Sequence, residues 1–309
     1  MQKILLTGAD GFVGRHLRPM LQTAFAGADI VATHVHQLDV TDAAATAAFI
    51  DNLQPDACIH LAGVTAVDEA KRAPEKAWAV NFQGTLNVGT AILRHAPQCR
   101  MILISSGECY GASFKTGDAL DETALLVPLN LYAATKAAAE MALGAMTSDG
   151  LRLLRLRPFN HTGPGQREAF VVPAFAGQMA RIEAGLTAPQ IKVGALTPER
   201  DFLDVRDVCA AYVLALQKFD VLPNNSVFNI ASGLAVRIGD VLETLLEQAR
   251  CPIGIVTDPA RLRRVEIACA IGDATLARRV LGWAPQYELG ATLLSVLEAA
   301  RRVVHGASS

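Results

Sequence analysis

Over its first 160 residues the chain alternates short, β-rich apolar runs with longer helical patterns, and no other feature restricts the fold as much. The runs are Lys3 to Thr7, Ile30 to Thr33, Ala57 to Leu61, Met101 to Ile104 and Leu151 to Leu156. Repeats of this kind build parallel sheets, because a parallel partner strand needs a crossover long enough to hold a helix. The runs are continuously apolar rather than alternating in and out, as expected where helices cover both sheet faces. The expected fold class is α/β with a doubly wound parallel sheet.

After "RPFNHTGPGQ" the pattern becomes less regular, and Gly163, Pro164, Gly165, Pro173, Pro189 and Pro198 break it into shorter elements. A smaller α/β region is therefore expected over 161–309, following a first domain over 1–160. Val205 to Lys218 has helical periodicity and Val227 to Ala231 a strand pattern, so the chain is expected to return to the first domain around 205–231. A length of 309 residues with 51% hydrophobic content suits one large or two modest domains with a sizeable core.

The formal charge of -2 spreads 28 basic and 30 acidic residues without long single-sign runs, which argues against nucleic acid or an anionic membrane as partner. "MQKILLTGAD" enters a strand directly, and no apolar segment of ~20 residues follows, so a cytoplasmic protein is expected. Cys58, Cys99, Cys109, Cys209, Cys251 and Cys269 lie far apart without Cys-x-x-Cys spacing. Buried reduced thiols are expected, and no metal site.

"LLTGADGFVGRHL" places Gly8, Gly11 and Gly14 between the first strand and the first helix, with Phe12 and Val13 in the same turn. Glycines there let the backbone turn sharply and approach a pyrophosphate, whose charge suits a helix N-terminus. The spacing is G-x-x-G-x-x-G, and its place in the βα pattern points to a Rossmann-type dinucleotide site. An acidic residue ending the second strand would hold an NAD ribose, and a basic one would mark NADP. "VATHVHQLD" offers only His34 and His36, which decides neither. Arg15 is a candidate for a 2′-phosphate or a solvated helix residue; Asp39, followed by Val40, is a candidate adenine contact or a turn carboxylate.

In "LYAATKAAAE", Tyr132 and Lys136 stand four apart, on one face of an alanine-rich helix. A neighbouring ammonium favours phenolate, so the pair is expected to bring the phenol's pKa down from ~10 and let it exchange a proton near neutral pH. That suits hydride transfer at a carbonyl, where an alkoxide must be protonated. "ILISSGECYG" ends an apolar strand in Ser105 and Ser106, where ligands of open α/β sheets bind. Ser106 is expected to donate to the substrate oxygen beside Tyr132. Capping of a turn is the plainer role, and it is expected of Ser105 more than of Ser106.

With these motifs the chain resembles the extended short-chain dehydrogenase/reductase family of nucleotide-sugar enzymes over nearly its whole length. Within it, "ISSGECYG", "RPFNHTGPGQ", "RDFLDVRDV" and "DPARLRRVE" look most like the reductases of GDP-linked 4-keto-6-deoxyhexoses. The resemblance implies Ser106, Tyr132 and Lys136 as catalytic trio, and Gly8, Gly11 and Gly14 as pyrophosphate cradle. It implies Asp39 and Val40 at the adenine, with Leu61, Ala62, Gly63 and Asn81 also lining the cofactor site. Asn160, Arg200 and Arg263 would meet the substrate diphosphate, and Glu266 its ribose. NADP(H) is favoured as cofactor, with NAD(H) the alternative; the partners would be a GDP-linked sugar and a second copy of the chain. The homodimer would pair through helices bearing Ala77, Val80, Leu86, Ala137 and Ala138, residues equally suited to an internal core.

Glu108 stands two residues after Ser106, where related 4,6-dehydratases place the carboxylate that removes the C5 proton. Glucose-type dehydratases carry an Asp-Glu pair there, and Gly107 replaces the acid; GDP-mannose dehydratases carry only the Glu. Gly107 therefore argues against the glucose-type dehydratases and does not exclude the GDP-mannose type; the reductase is preferred because "SSGE", "NHTGPGQ" and "RDFLDV" fit it better and a simple reductase requires no C5 base, with Glu108 orienting substrate or serving structure. A dehydratase or epimerase with tightly held NAD(P) is the alternative, and a non-catalytic dinucleotide sensor the third reading.

Overall fold

The computed structural model describes residues 1–262 and 267–306. Six strands, β1 (Lys3–Thr7), β2 (Asp29–Ala32), β3 (Ala57–His60), β4 (Arg100–Ile104), β5 (Leu153–Pro158) and β10 (Val227–Ile230), form one sheet in the order β10-β5-β4-β3-β1-β2. Every pairing in it is parallel. The connections run outward in both directions from β1 and β3, so the order reverses between these two strands. Their carboxyl ends form the crevice where doubly wound sheets bind ligands.

Residue parity along each strand assigns the two faces. Ile4, Leu6, Ile59, Ile102, Ile104, Leu154 and Leu156 pack on one face with α1 (Phe12–Ala24) and α8 (Val205–Gln217). Leu5, Cys58, Met101, Leu103 and Leu153 pack on the other, where α2 (Ala43–Leu53), α5 (Thr85–His95) and α6 (Leu131–Met146) lie. Burying both faces removes nearly all water from the strands, which explains their continuous apolar character.

Between β3 and β4 the chain forms α3 (Val67–Arg72) and α4 (Pro74–Ala77), then a π-helical segment Trp78–Gly84 that leads directly into α5. Ala77 is fully buried against Val64 and Ala70, and Ala137 is buried on α6; Val80, Leu86 and Ala138 are half-buried. Ala77 and Ala137 therefore belong to the internal core. Cys58, Cys99, Cys109 and Cys209 are buried as expected, whereas Cys251 and Cys269 are only half-buried.

A second apolar cluster forms where α7 (Val171–Glu183), α9 (Ile238–Leu246) and α10 (Leu289–Gly306) pack with β7 (Gln190–Val193). Short pairings complete this region: β6 (Asn160–Thr162) with β9 (Phe202–Asp204), β8 (Glu199–Arg200) with β11 (Val236–Arg237) and β13 (Cys269–Ala270), and β7 with β12 (Gly254–Thr257). Among the described residues, no helix is long and apolar enough to cross a membrane.

The turn after β4 is held by Gly111, whose φ of 50° lies in the left-handed region and whose added Cβ would stand 2.0 Å from the Val127 carbonyl oxygen. Gly111→Ala should lower the stability of the chain by about 2 kcal/mol or more, read as a lower urea midpoint. An unchanged midpoint would show that this turn tolerates a side chain.

Candidate active site

The glycine turn closes on the loop after β3. A Cβ at Gly8 (φ 65°) would lie 2.7 Å from the Ala62 nitrogen, and one at Gly14 would lie 2.5 Å from the Ala9 carbonyl oxygen. Both glycines are sterically required. Gly11 caps α1 with extended backbone and without a side-chain hydrogen bond, so the first amides of the helix are left to an incoming anion. These features fit a dinucleotide pyrophosphate, and Gly8 places Leu61, Ala62 and Gly63 beside it across the switch point.

Behind this loop runs a directed chain of hydrogen bonds. The Ala62 amide donates to Thr7 Oγ1 at 3.3 Å, and Thr7 Oγ1 lies 2.8 Å from His60 Nδ1. On the other side, His60 Nε2 is 3.0 Å from Thr85 Oγ1, whose proton goes to the Asn81 carbonyl at 2.7 Å. Thr85 can therefore only accept from the ring, which places the imidazole proton on Nε2 and leaves Nδ1 to accept from Thr7. Burial, reinforced by the Lys136 charge, drives the His60 pKa down to about 3.

Asn81, fully buried in the π-helical segment, accepts from the Val64 amide at 2.7 Å. It donates to the Val64 carbonyl and to Thr135 Oγ1, both at 3.0 Å. Thr135 donates in turn to the Tyr132 carbonyl at 2.8 Å. The amide thus ties the loop after β3 to the first turn of α6.

α6 begins at Asn130, whose Oδ1 accepts from the Ala133 amide at 2.9 Å and whose Nδ2 donates to Glu108 Oε2 at 3.3 Å. Burial pushes the Tyr132 phenol above its ordinary pKa, and the Ser106 hydroxyl beside it draws it partly back. Lys136 Nζ donates to the Ile104 carbonyl at the end of β4, and burial brings the ammonium down to about 8. The expectation that Lys136 lowers the Tyr132 pKa is not met, because desolvation dominates at both groups and Lys136 is turned to a backbone carbonyl. Turn capping, expected of Ser105 more than of Ser106, falls to Ser106. Ser106 Oγ caps the turn after β4 by accepting from the Glu108 amide at 3.1 Å, whereas Ser105 Oγ donates to the buried Glu140 at 2.5 Å.

A cavity of about 60 Å³ opens around β6 and the start of α7, lined by Asn160, His161, Gln166, Phe170, Val172 and Phe202 among others. Arg200 is anchored through Nη1 to the carbonyls of Glu199 (2.7 Å) and Ile267 (3.3 Å). Burial lowers its pKa and the charge of Glu108 raises it, so Arg200 and Glu108 face one another electrostatically. Asp201, next in the chain, accepts from the Ser232 amide and hydroxyl, both at 2.7 Å, and from the Gly233 amide at 2.9 Å.

A sequence model of the NAD dependent epimerase/dehydratase family matches residues 4–231. The chain belongs to that family. It is 36% identical to the GDP-6-deoxy-D-mannose reductase of Pseudomonas aeruginosa over 96% of each chain. It is 27% identical to the GDP-6-deoxy-D-talose 4-dehydrogenase of Aggregatibacter actinomycetemcomitans over 91% of each. The solved structure of RMD from Pseudomonas aeruginosa complexed with NADPH superposes with a TM-score of 0.87 at 34% identity, over 98% of this chain and all of that one. The UDP-glucose 4-epimerase of Thermotoga maritima with UDP-glucose gives 0.83 at 26% identity, over 98% of this chain and 100% of that chain. Membership makes the chain an enzyme that works with a nicotinamide dinucleotide, and the glycine turn fits that cofactor.

Against this family background, the structure brings Ser106, Glu108, Tyr132 and Lys136 together at the end of β4. Phe12 stacks on His161 at 6.2 Å, beside Asn160, and Val13 accepts from Cys209 Sγ through its carbonyl. Asp39 accepts from the Thr41 amide and hydroxyl, as a turn carboxylate does, and the Val40 carbonyl accepts from Asn87 at 2.9 Å. Arg15 is not merely solvated; it donates to the Gly165 carbonyl at 3.3 Å. Arg263 and Glu266 lie outside the described residues. Sequence reasoning passed over His60, Asn130 and Glu140. Only Glu140 left a readable signal, its i+8 spacing from Tyr132.

His60 gives this network a pH signature. Its folded pKa lies below the unfolded value of 6.5, so the stability it confers is present above pH 6.5 and is lost as pH falls toward about 3. Relative to His60→Gln, the wild type should lose about 1.4 kcal/mol per pH unit across that window in urea denaturation. Parallel losses in the two proteins would show that His60 is not held neutral.

Proposed function

We propose that this enzyme is an NADPH-using reductase that delivers hydride to C4 of a GDP-linked 4-keto-6-deoxyhexose, giving GDP-D-rhamnose. The observation that carries this reading is the grouping of Ser106 with Tyr132 at the carboxyl end of β4, one helical turn from Lys136, whose Nζ donates to the Ile104 carbonyl there. The likeness to a GDP-6-deoxy-D-mannose reductase over 96% of each chain supports the substrate class.

The dinucleotide, when bound, supplies the hydride. Ser106 and Tyr132 converge on one position, where both hydroxyls can donate to a substrate oxygen. Tyr132, kept protonated by its burial, gives its proton to that oxygen as negative charge develops. Lys136 offers its charge to the nicotinamide ribose and to the phenol as it becomes phenolate. Asn160 and Arg200 would hold the substrate diphosphate, with Gln166 and the N-terminus of α7 at Phe170 completing that wall. Glu108, set between Asn130 and Arg200, would orient the sugar. NADPH over NADH is supported by the NADPH complex of a similar protein, by the lack of an acid at the end of β2 and by Arg15 beside the glycine turn. A cytoplasmic setting suits the six free cysteines.

The reading against a glucose-type dehydratase rests on packing, and a dehydratase that carries only the Glu is set aside on likeness to the GDP-6-deoxy-D-mannose reductase. A Cβ at Gly107 would lie 2.9 Å from the Phe159 ring, so the acid of an Asp-Glu pair has no room there.

Given GDP-4-keto-6-deoxymannose, the enzyme should oxidise NADPH mole for mole, and no oxidation of NADPH or NADH would reject the reading. Tyr132→Phe should retain NADPH binding and lose roughly 10²-fold or more in kcat. Because Lys136 acts as an ammonium with a pKa of about 8, kcat/KM should fall above that pH; a profile flat to pH 10 would remove the lysine's charge from the mechanism.

A further inference from the structure

Successive residues at the end of β4 are fastened to successive turns of α6. The Ile104 carbonyl accepts from Lys136 Nζ, Ser105 Oγ donates to Glu140 Oε2 at 2.5 Å, and the Ser106 hydroxyl acts on the Tyr132 phenol. Tyr132, Lys136 and Glu140 follow one another at i, i+4 and i+8 and form a single stripe. The third residue of the stripe has no part in the mechanism above, yet it is fully buried. Its carboxylate accepts from Arg157 Nε at 3.0 Å and Nη2 at 2.6 Å, with Arg155 Nη1 at 3.5 Å. Arg157 also donates to the Tyr110 hydroxyl at 2.8 Å and to the Glu122 carbonyl at 3.2 Å.

Such a carboxylate has an evident structural use, since it pins α6 to β5. Its place one turn beyond Lys136 gives it a second. The groups around this stretch are His60 from β3, Cys109 and Tyr110 from the turn after β4, Arg155 and Arg157 from β5, and Tyr132 on α6 itself. His60 is neutral, and burial keeps the Cys109 thiol and both phenols protonated at neutral pH. Among these groups Glu140 supplies the negative charge, and it acts on Lys136 in favour of the ammonium.

We propose that Glu140 is a positioning residue for the reduction: one turn beyond Lys136 and tied to Ser105 and Arg157, it fixes the rotation of α6 that sets Tyr132 beside Ser106 and Lys136 at the Ile104 carbonyl. The proposal rests on the roles of Tyr132 and Lys136 given above.

Glu140→Gln keeps an acceptor for Ser105 and removes the charge, but it strands the Arg157 guanidinium. Glu140→Gln combined with Arg157→Met removes both charges, an exchange buried ion pairs commonly tolerate. Two readouts are needed: the Lys136 titration, followed by NMR of ¹³C-labelled lysine with Lys136→Met as the assignment control, and the pH profile of kcat/KM. Both readouts are expected to move to lower pH by about one unit in the double variant, a roughly tenfold loss of kcat/KM above the limb. A folded double variant whose titration and limb stay at the wild-type positions would overturn the proposal and leave Glu140 a purely structural role. Wild type that fails to reduce the keto sugar would reject the proposed function instead, while the Lys136 titration would still read the effect of Glu140.

Discussion

The close approach of α6 to the end of β4 is the contact on which the site depends. Ala133, Ala137 and Ala139 face the sheet side of the helix and are buried. Their small side chains let the helix axis come near enough for Lys136 to reach the Ile104 carbonyl and for Glu140 to reach Ser105 and Arg157. The same approach strips water from both charged groups. An ammonium and a carboxylate left unpaired there would be costly, and removing one partner of a buried pair typically costs about 3–5 kcal/mol. The alanines therefore produce the electrostatics of the site: they create the desolvation that Arg157 and Ser105 offset for Glu140.

A second set of contacts joins the cofactor turn to the substrate side. Phe12, from the glycine motif, stacks on His161; Arg15 donates to the Gly165 carbonyl; His16 lies 3.0 Å from the Pro164 carbonyl oxygen. All three come from the first turns of α1; Phe12 reaches β6 itself, and Arg15 and His16 reach the loop that follows it. Gly163 in that loop has no room for a side chain, because a Cβ would stand 2.6 Å from Val205 Cγ1. The strand carrying Asn160 is thus fixed against the helix whose N-terminus faces the pyrophosphate. On the far side, Asp201 draws its amide and hydroxyl partners from the loop after β10 and, at 3.3 Å, the Gly272 amide. Arg200 is thereby carried on a segment anchored to the central sheet.

Much of this was legible in the sequence for physical reasons. Lys3–Thr7 and Val205–Gln217 follow from period and burial, and the glycine turn from steric need. The grouping of Ser106 with Tyr132 followed from strand-end placement, a local property. What could not be read depends on partners distant in sequence. The resemblance puts Asn81 at the cofactor site, but that its amide is used by Val64 and Thr135, 17 and 54 positions away, lies beyond what spacing can tell. Ser105 and Ser106 differ only in which way each hydroxyl points, and Glu140, 35 positions from Ser105, decides it. The Tyr132–Lys136 pair was read from spacing alone, which fixes a shared face but says nothing about desolvation, the larger influence on both groups. Strands of two or three residues, such as β8 and β9, carry too little pattern to be recognised.

The bar to the Asp-Glu pair of glucose-type dehydratases lies beneath the site rather than within it. Phe159 fills the space under Gly107, with Tyr110 and Phe114 at 6.2 and 6.0 Å from its ring and Gly272 so close that a Cβ would stand 2.5 Å away. Introducing an acid at position 107 would require Phe159 to move, and Phe159 is held by a cluster continuous with the core of the sheet. The adjacent carboxylate, Glu108, is already engaged by Asn130, the cap of the helix that presents Tyr132. Through Asn130, which donates to Glu108 and accepts from the Ala133 amide, this carboxylate ties the turn after β4 to the start of α6, so the side chain beside Gly107 belongs to the scaffold that presents Tyr132.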